Sequence, residues 1–261
     1  MTTEAKGNAN GKAKGLLWMA LAIVIGATAS LGMPFFVKFV PWSFEERLSK
    51  LIGGPPGSVC EGGHSATSDV LFKKIIARIY PLDEKDKYYP VTVEVLKGNT
   101  VNAFAYLGGH IYIYQALLNQ MGSPEELAGV VAHEIGHIRN RHVLQGIFVR
   151  IMTIEALKMV LSGSGQVNPQ LFSTILNMKF SRQQEKKADE DGLIRLQKAQ
   201  VSTKGLKDFF QRGESSSFLP AILSDHPSDE NRVALIQKYS GGVTRPILDQ
   251  KDWHQLKQIC N

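Results

Sequence analysis

Polar residues dominate the first fourteen positions, and then Gly15 to Val37 runs for twenty-three residues without a charge before Lys38. As a helix this run would measure about 35 Å, longer than a bilayer's hydrocarbon core of about 30 Å. It predicts one N-terminal transmembrane helix over residues 16–40, behind a polar tail at 1–15. A second reading stays open: Leu16 to Ile25 also has the form of a signal-peptide apolar region, followed by the small-x-small triplet Ala27-Thr28-Ala29. Apolarity continues past that triplet through Leu31, Met33, Phe35, Phe36 and Val37, which favours a retained anchor over an exported soluble protein.

Residues 41–66 read as a connector, with a short helix from Ser43, then Gly53-Gly54-Pro55-Pro56-Gly57 and the pair Gly62-Gly63. A folded body is predicted over 67–261. Val70, Leu71, Ile75, Ile76 and Ile79 have helical spacing, stopped by Pro81. Val91, Val93 and Val95 alternate with polar residues up to a Gly98-Asn99 turn. A second short strand through Phe104 and a third from Ile111 to Tyr114 flank Gly108-Gly109, so the pattern predicts a small antiparallel sheet. Ser123-Pro124-Glu125-Glu126 then opens a well-capped helix with Leu127, Val130, Val131 and Ile135 on one side. Ile147 to Leu161 is too short to span a bilayer and carries Arg150, Glu155 and Lys158, which predicts a packed amphipathic helix. The Gly/Ser-rich stretch Ser162 to Pro169 suits a lid. The fold class is α+β, mainly helical.

Charge narrows the partners. The net charge is +6, but the 30 Lys and Arg are scattered, and no helix-turn-helix, zinc-finger or RNP pattern occurs, so nucleic acid is excluded as a partner. The two cysteines, Cys60 and Cys260, lack metal-site or redox spacing. If the body lies outside the cytoplasm they could form a disulfide that ties the ends of the domain together.

The chemistry concentrates in His133-Glu134-Ile135-Gly136-His137. Two histidines four apart on one helical face can ligate a single Zn²⁺, and Glu134 between them can act as general base. A hydrolytic zinc needs a third protein ligand. The metzincin position six residues after His137 is Val143, so that class fails. Among the downstream glutamates, Glu185 has Asp189 four residues on, placed to accept a proton from a ligating histidine and fix its tautomer. The expected set is therefore one Zn²⁺ per chain on His133, His137 and Glu185, with Asp189 behind it. The strands around Asn102, Ala103 and Phe104, and around Gly109 and His110, could bind an extended peptide at a sheet edge. His64, His110, His142 and His254 are otherwise read as packing or surface histidines.

Four blocks in order resemble the membrane-associated zinc metallopeptidases of family forty-eight, the HtpX and CAAX prenyl protease family. They are Asn102-Ala103-Phe104-Ala105 with Gly108-Gly109-His110-Ile111, the H-E-x-x-H block continuing to Arg141-His142, Ser181 to Asp189, and His226-Pro227 followed by Arg232. The resemblance covers about Val91 to Lys238 and is strongest to single-anchor or periplasmic bacterial members. It implies a gluzincin-type metallopeptidase domain that hydrolyses peptide bonds. It also implies that His226 lies near the site, stabilising the oxyanion or capping the zinc in a resting state, with Arg232 as its partner. The function so implied is a metalloendopeptidase for unfolded or misassembled envelope proteins, held in the bacterial inner membrane with its catalytic domain in the periplasm. The lipid bilayer and protein or peptide substrates are its partners. The alternative is a chaperone-like client-binding protein with gated or weak proteolysis.

Overall fold

Ser123 starts the helix that carries the H-E-x-x-H block. Its hydroxyl accepts the backbone N–H of Glu126 at 3.3 Å, and Pro124 occupies the first helical position, where no N–H is needed. The computed structural model describes residues 32–54, 59–60, 66–81, 89–150, 178–215 and 232–260. These belong to two compact units, Met1–Pro41 with Leu144–Gln170, and Trp42–Val143 with Leu171–Asn261.

In the first unit, residues 32–36 and 144–150 are helical and Val37–Phe39 form a 3-10 turn. Met33, Val37, Leu144 and Ile147 are buried there, while Phe35, Phe36 and Phe39 are exposed. No helix among the described residues is long and apolar enough to cross a membrane. Residues 16–31 of the expected anchor, the expected lid at Ser162 to Pro169, and His226 lie outside the described residues.

The second unit begins with helix α1 (Trp42–Ile52), which occupies much of the stretch read as a connector and buries Glu45 and Ser49. Helix α2 (Ala66–Ile79) buries Leu71, Phe72, Ile75 and Ile79, leaving Val70 exposed. The sheet follows: β1 (Thr92–Leu96), β2 (Ala103–Ala105) and β3 (His110–Tyr114), in the order β1-β3-β2. It is mixed, which corrects the expected antiparallel sheet: β2 pairs antiparallel with β3, but β1 runs parallel to β3, with Thr92 opposite His110 and Leu96 opposite Tyr114. Alternation marks strands and not their neighbours. Residues 97–102 carry the chain past the place β3 fills, so Gly98-Asn99 does not close a hairpin. Gly109, at φ 84°, passes so close to the Pro90 carbonyl that a Cβ there would lie 1.9 Å from its oxygen.

Helix α3 (Gln115–Gln120) leads to α4 (Pro124–Arg139), and the helices among the described residues from 178 onward are α5 (Arg182–Lys198), α6 (Lys204–Ser215), α7 (Arg232–Lys238) and α8 (Gln250–Lys257). Ser181 caps α5 in a reciprocal box with Gln184. Two glycines let α4 and α5 touch backbone to backbone. A Cβ at Gly136 would sit 2.7 Å from the Ala188 carbonyl oxygen, and one at Gly192 would sit 3.1 Å from the Ala132 backbone. That contact sets the H-E-x-x-H block directly against Glu185 and Asp189. The Cys60–Cys260 disulfide is formed. Beside it Val59 bridges Leu96, and the Cys60 N–H donates to the Val95 carbonyl at 2.9 Å.

Candidate metal centre

His133 and His137 are one turn apart on α4, and Glu185 faces them from the first turn of α5. All three side chains are buried. Nε2 of His133 lies 3.0 Å from Nε2 of His137, and the Glu185 carboxylate oxygens lie 3.4 Å from each of these nitrogens. Nδ1 of His133 is 2.8 Å from Oδ1 of Asp189, one turn further along α5. An Nδ1–H donated to that carboxylate leaves the Nε2 lone pair directed at the shared point.

Arg232 on α7 closes the back of the cluster. Its Nε donates to Oδ2 of Asp189 at 2.6 Å and its Nη2 to Oε2 of Glu185 at 3.0 Å, while the guanidinium lies over the Phe210 ring. One cation thus fixes both carboxylates. On the sheet side, Oε2 of Glu134 accepts the backbone N–H of Ala105 at 2.7 Å. This N–H points away from β3, off the outer edge of β2, and the neighbouring Ala103 N–H is taken by Oδ1 of Asn102 at 2.9 Å.

The donor set fits a divalent zinc. With Zn–N distances of about 2.0–2.1 Å and tetrahedral angles, two ligand atoms on one ion stand about 3.3 Å apart, close to the three separations seen here. His133, His137 and Glu185 are the group among the described residues whose ligand atoms converge, all within 4.8 Å of one another. The charges agree as well. The buried carboxylates of Glu134, Glu185 and Asp189 outnumber the Arg232 guanidinium that bonds two of them, which leaves the cluster a negative excess that favours a cation.

The same surroundings shift the histidines in opposite directions. Burial pulls His133 down, but the hydrogen bonds and charges of Asp189 and Glu185 outweigh it, and its pKa is pushed up to about 10. His142 is pushed down to about 4, chiefly by burial.

Residues 66–240 match peptidase family M48. The chain belongs to peptidase family M48. The M48 relatives include metalloprotease LoiP of Escherichia coli K12, 29% identical over 162 residues that cover 57% of this chain and 62% of LoiP. A putative beta-barrel assembly-enhancing protease of Vibrio cholerae is 29% identical over 161 residues, 55% of this chain and 33% of its own. Mitochondrial metalloendopeptidase OMA1 of Arabidopsis thaliana is 34% identical over 154 residues, 56% of this chain and 31% of OMA1. The chain therefore spans less than two thirds of the length of each of these M48 relatives.

Of the residues singled out in the sequence of this M48 chain, His133, Glu134, His137, Glu185, Asp189 and Arg232 form one buried cluster. Asn102, Ala103 and Phe104 lie on or beside the strand whose edge meets Glu134. His110 is not part of the cluster: its Nδ1 is 2.9 Å from Thr92 Oγ1 and 3.7 Å from Glu94. Gly109 sits in the hairpin beside Pro90. Phe180, not among the residues the sequence marks, stacks on His137 with ring centroids 4.0 Å apart, and His142, expected as a packing or surface histidine, has its Nδ1 3.0 Å from Nδ1 of His137. A lone Phe before a helix cap carries no motif. His142, five residues beyond His137, would lie on another face of a continuing helix.

Proposed function

We propose that this M48 chain is a zinc metalloendopeptidase that cleaves extended segments of unfolded or misassembled envelope proteins. The observation that carries the reading is the convergence of three ligand atoms beside a carboxylate that is itself bonded to a sheet edge. His133, His137 and Glu185 would hold the ion, which when bound supplies Lewis acidity to a scissile carbonyl and to water. Asp189 keeps His133 in its ligating tautomer, and Arg232 holds Asp189 and Glu185 in register. A peptide adding to the outer edge of β2 would run past Glu134, displacing its bond to Ala105 and the Asn102 cap on Ala103. Glu134 then takes the proton from water and returns it to the leaving amine. Main-chain pairing of this kind reads an extended backbone more than side chains, which suits unfolded clients. The name of the Vibrio cholerae relative, which refers to beta-barrel assembly, is in keeping with that client class.

Membrane attachment belongs to the same proposal. The uncharged run that ends at Val37 is followed by α1, whose exposed positions include Phe44, Arg47, Lys50 and Leu51, an apolar and basic face suited to a bilayer surface.

The test is zinc content and casein cleavage measured together for the full chain, Glu134→Gln and Glu185→Ala. We expect one zinc per wild-type chain, zinc retained but turnover reduced at least about a hundredfold in Glu134→Gln, and both lost in Glu185→Ala. Zinc bound without cleavage by the wild type would transfer the function to client binding, and a wild type without zinc would remove the metallopeptidase reading.

A further inference from the structure

In an uninterrupted helix, five residues advance about 140° around the axis, which would turn His142 away from His137. The helix does not continue. Asn140 caps α4, and Arg141 takes φ 55°, in the left-handed region that a residue with a side chain rarely adopts. This turn swings the His142 ring back over His137, with centroids 5.0 Å apart at 74° and the two Nδ1 atoms 3.0 Å apart. A buried ion pair holds the turn: Nε and Nη2 of Arg141 lie 2.9 and 2.8 Å from Oε2 of Glu45 on α1.

Two imidazole nitrogens at 3.0 Å share one proton, and the metallopeptidase reading, on which this inference rests, decides where it sits. Nε2 of His137 belongs to the ligand triangle and must offer a lone pair, so the neutral ring carries its proton on Nδ1. Nδ1 of His142 is then the acceptor, and His142 is the Nε2–H tautomer. We propose that His142 is a positioning residue for the metal centre: a neutral, buried acceptor that fixes the tautomer and ring orientation of His137, as Asp189 does for His133. The two histidine ligands are therefore held by unlike partners. A carboxylate backs His133 with charge, whereas an imidazole backs His137 with a dipole alone, and Phe180 stacks on the His137 ring.

The test compares zinc affinity, by competition with a chromophoric chelator, and the visible spectrum of the Co²⁺-substituted protein for the full-length wild type, His142→Asn and His142→Leu. The asparagine carbonyl can stand where Nδ1 stood; leucine fills the space and accepts nothing. We expect His142→Leu to bind zinc ten- to a hundredfold more weakly, with an altered Co²⁺ spectrum, and His142→Asn to stay within a few-fold of wild type with the wild-type spectrum. Equal zinc affinity in all three, or equal loss in both variants, would overturn the assignment. Nitrogen NMR of the zinc-loaded wild type gives a second reading that needs no variant to fold. An Nε2–H tautomer at His142 is expected, and an Nδ1–H tautomer or an imidazolium would refute it. A wild type that takes up no zinc fails the metallopeptidase reading itself and carries this inference down with it.

Discussion

At the scale of single residues, the centre carries opposed proton affinities in one small space. His133 has a folded-state pKa of about 10, above the 6.5 of a free histidine, so without metal it contributes stability that is complete below pH 6.5 and is lost as pH rises towards 10. His142, at about 4, behaves in the opposite sense: its contribution is complete above pH 6.5 and is lost as pH falls towards 4, on the order of 3 kcal/mol in all. The metal-free protein should therefore be most stable near pH 6.5. Denaturant midpoints measured from pH 4 to 10 check this, and a flat profile would contradict it. Zinc should abolish the alkaline limb, because a ligating His133 is already neutral. The ligand candidates were legible because two imidazoles and a carboxylate at these spacings have few other uses. The partner of His137 was not, since His142 reaches it only through the left-handed turn at Arg141, which spacing does not encode.

Among the elements, the crossing of α4 and α5 sets the geometry of the centre. Gly136 sits inside the H-E-x-x-H block, and its absent side chain is what lets the Ala188 carbonyl approach. Gly136→Ala should force the two helices apart, costing about 1–3 kcal/mol by overpacking and weakening zinc binding, because His133 and His137 would withdraw from Glu185. Thermal unfolding together with a zinc titration tests both effects; a variant as stable and as tight as wild type would show that the crossing is not critical. Caps and the apolar face of α4 could be read in advance, because Ser123, Pro124 and Leu127, Val130, Val131 and Ile135 act locally. The sheet order could not. Whether β3 enters beside β1 or beyond β2 depends on contacts made far along the chain, including the docking of Gly109 under Pro90.

For the whole molecule, the disulfide is the longest-range constraint among the described residues. Cys60 and Cys260 are 200 residues apart, and closing so long a loop in the unfolded chain is worth up to about 5 kcal/mol in the chain-entropy account. Replacing both cysteines by serine should lower the denaturant midpoint by a corresponding amount, and the wild type should fall to the same midpoint under reductant. An unchanged midpoint would mean that the Lys74–Asp252 pair and the Lys257 ammonium, which bonds the carbonyls of Leu118, Asn119 and Met121, suffice to dock α8. That this pairing was legible follows from arithmetic: two cysteines admit one intramolecular bridge.

The bridge also makes residues 60–260 a covalent ring that contains every residue of the metal centre. A single peptide-bond cut anywhere inside the ring opens it without releasing a fragment. A protease at work among its own copies will suffer such cuts in its surface loops, and here the two pieces stay joined. They would run as one band on a denaturing gel until a thiol is added, and a nicked molecule would keep α4 and α5 on the same covalent body.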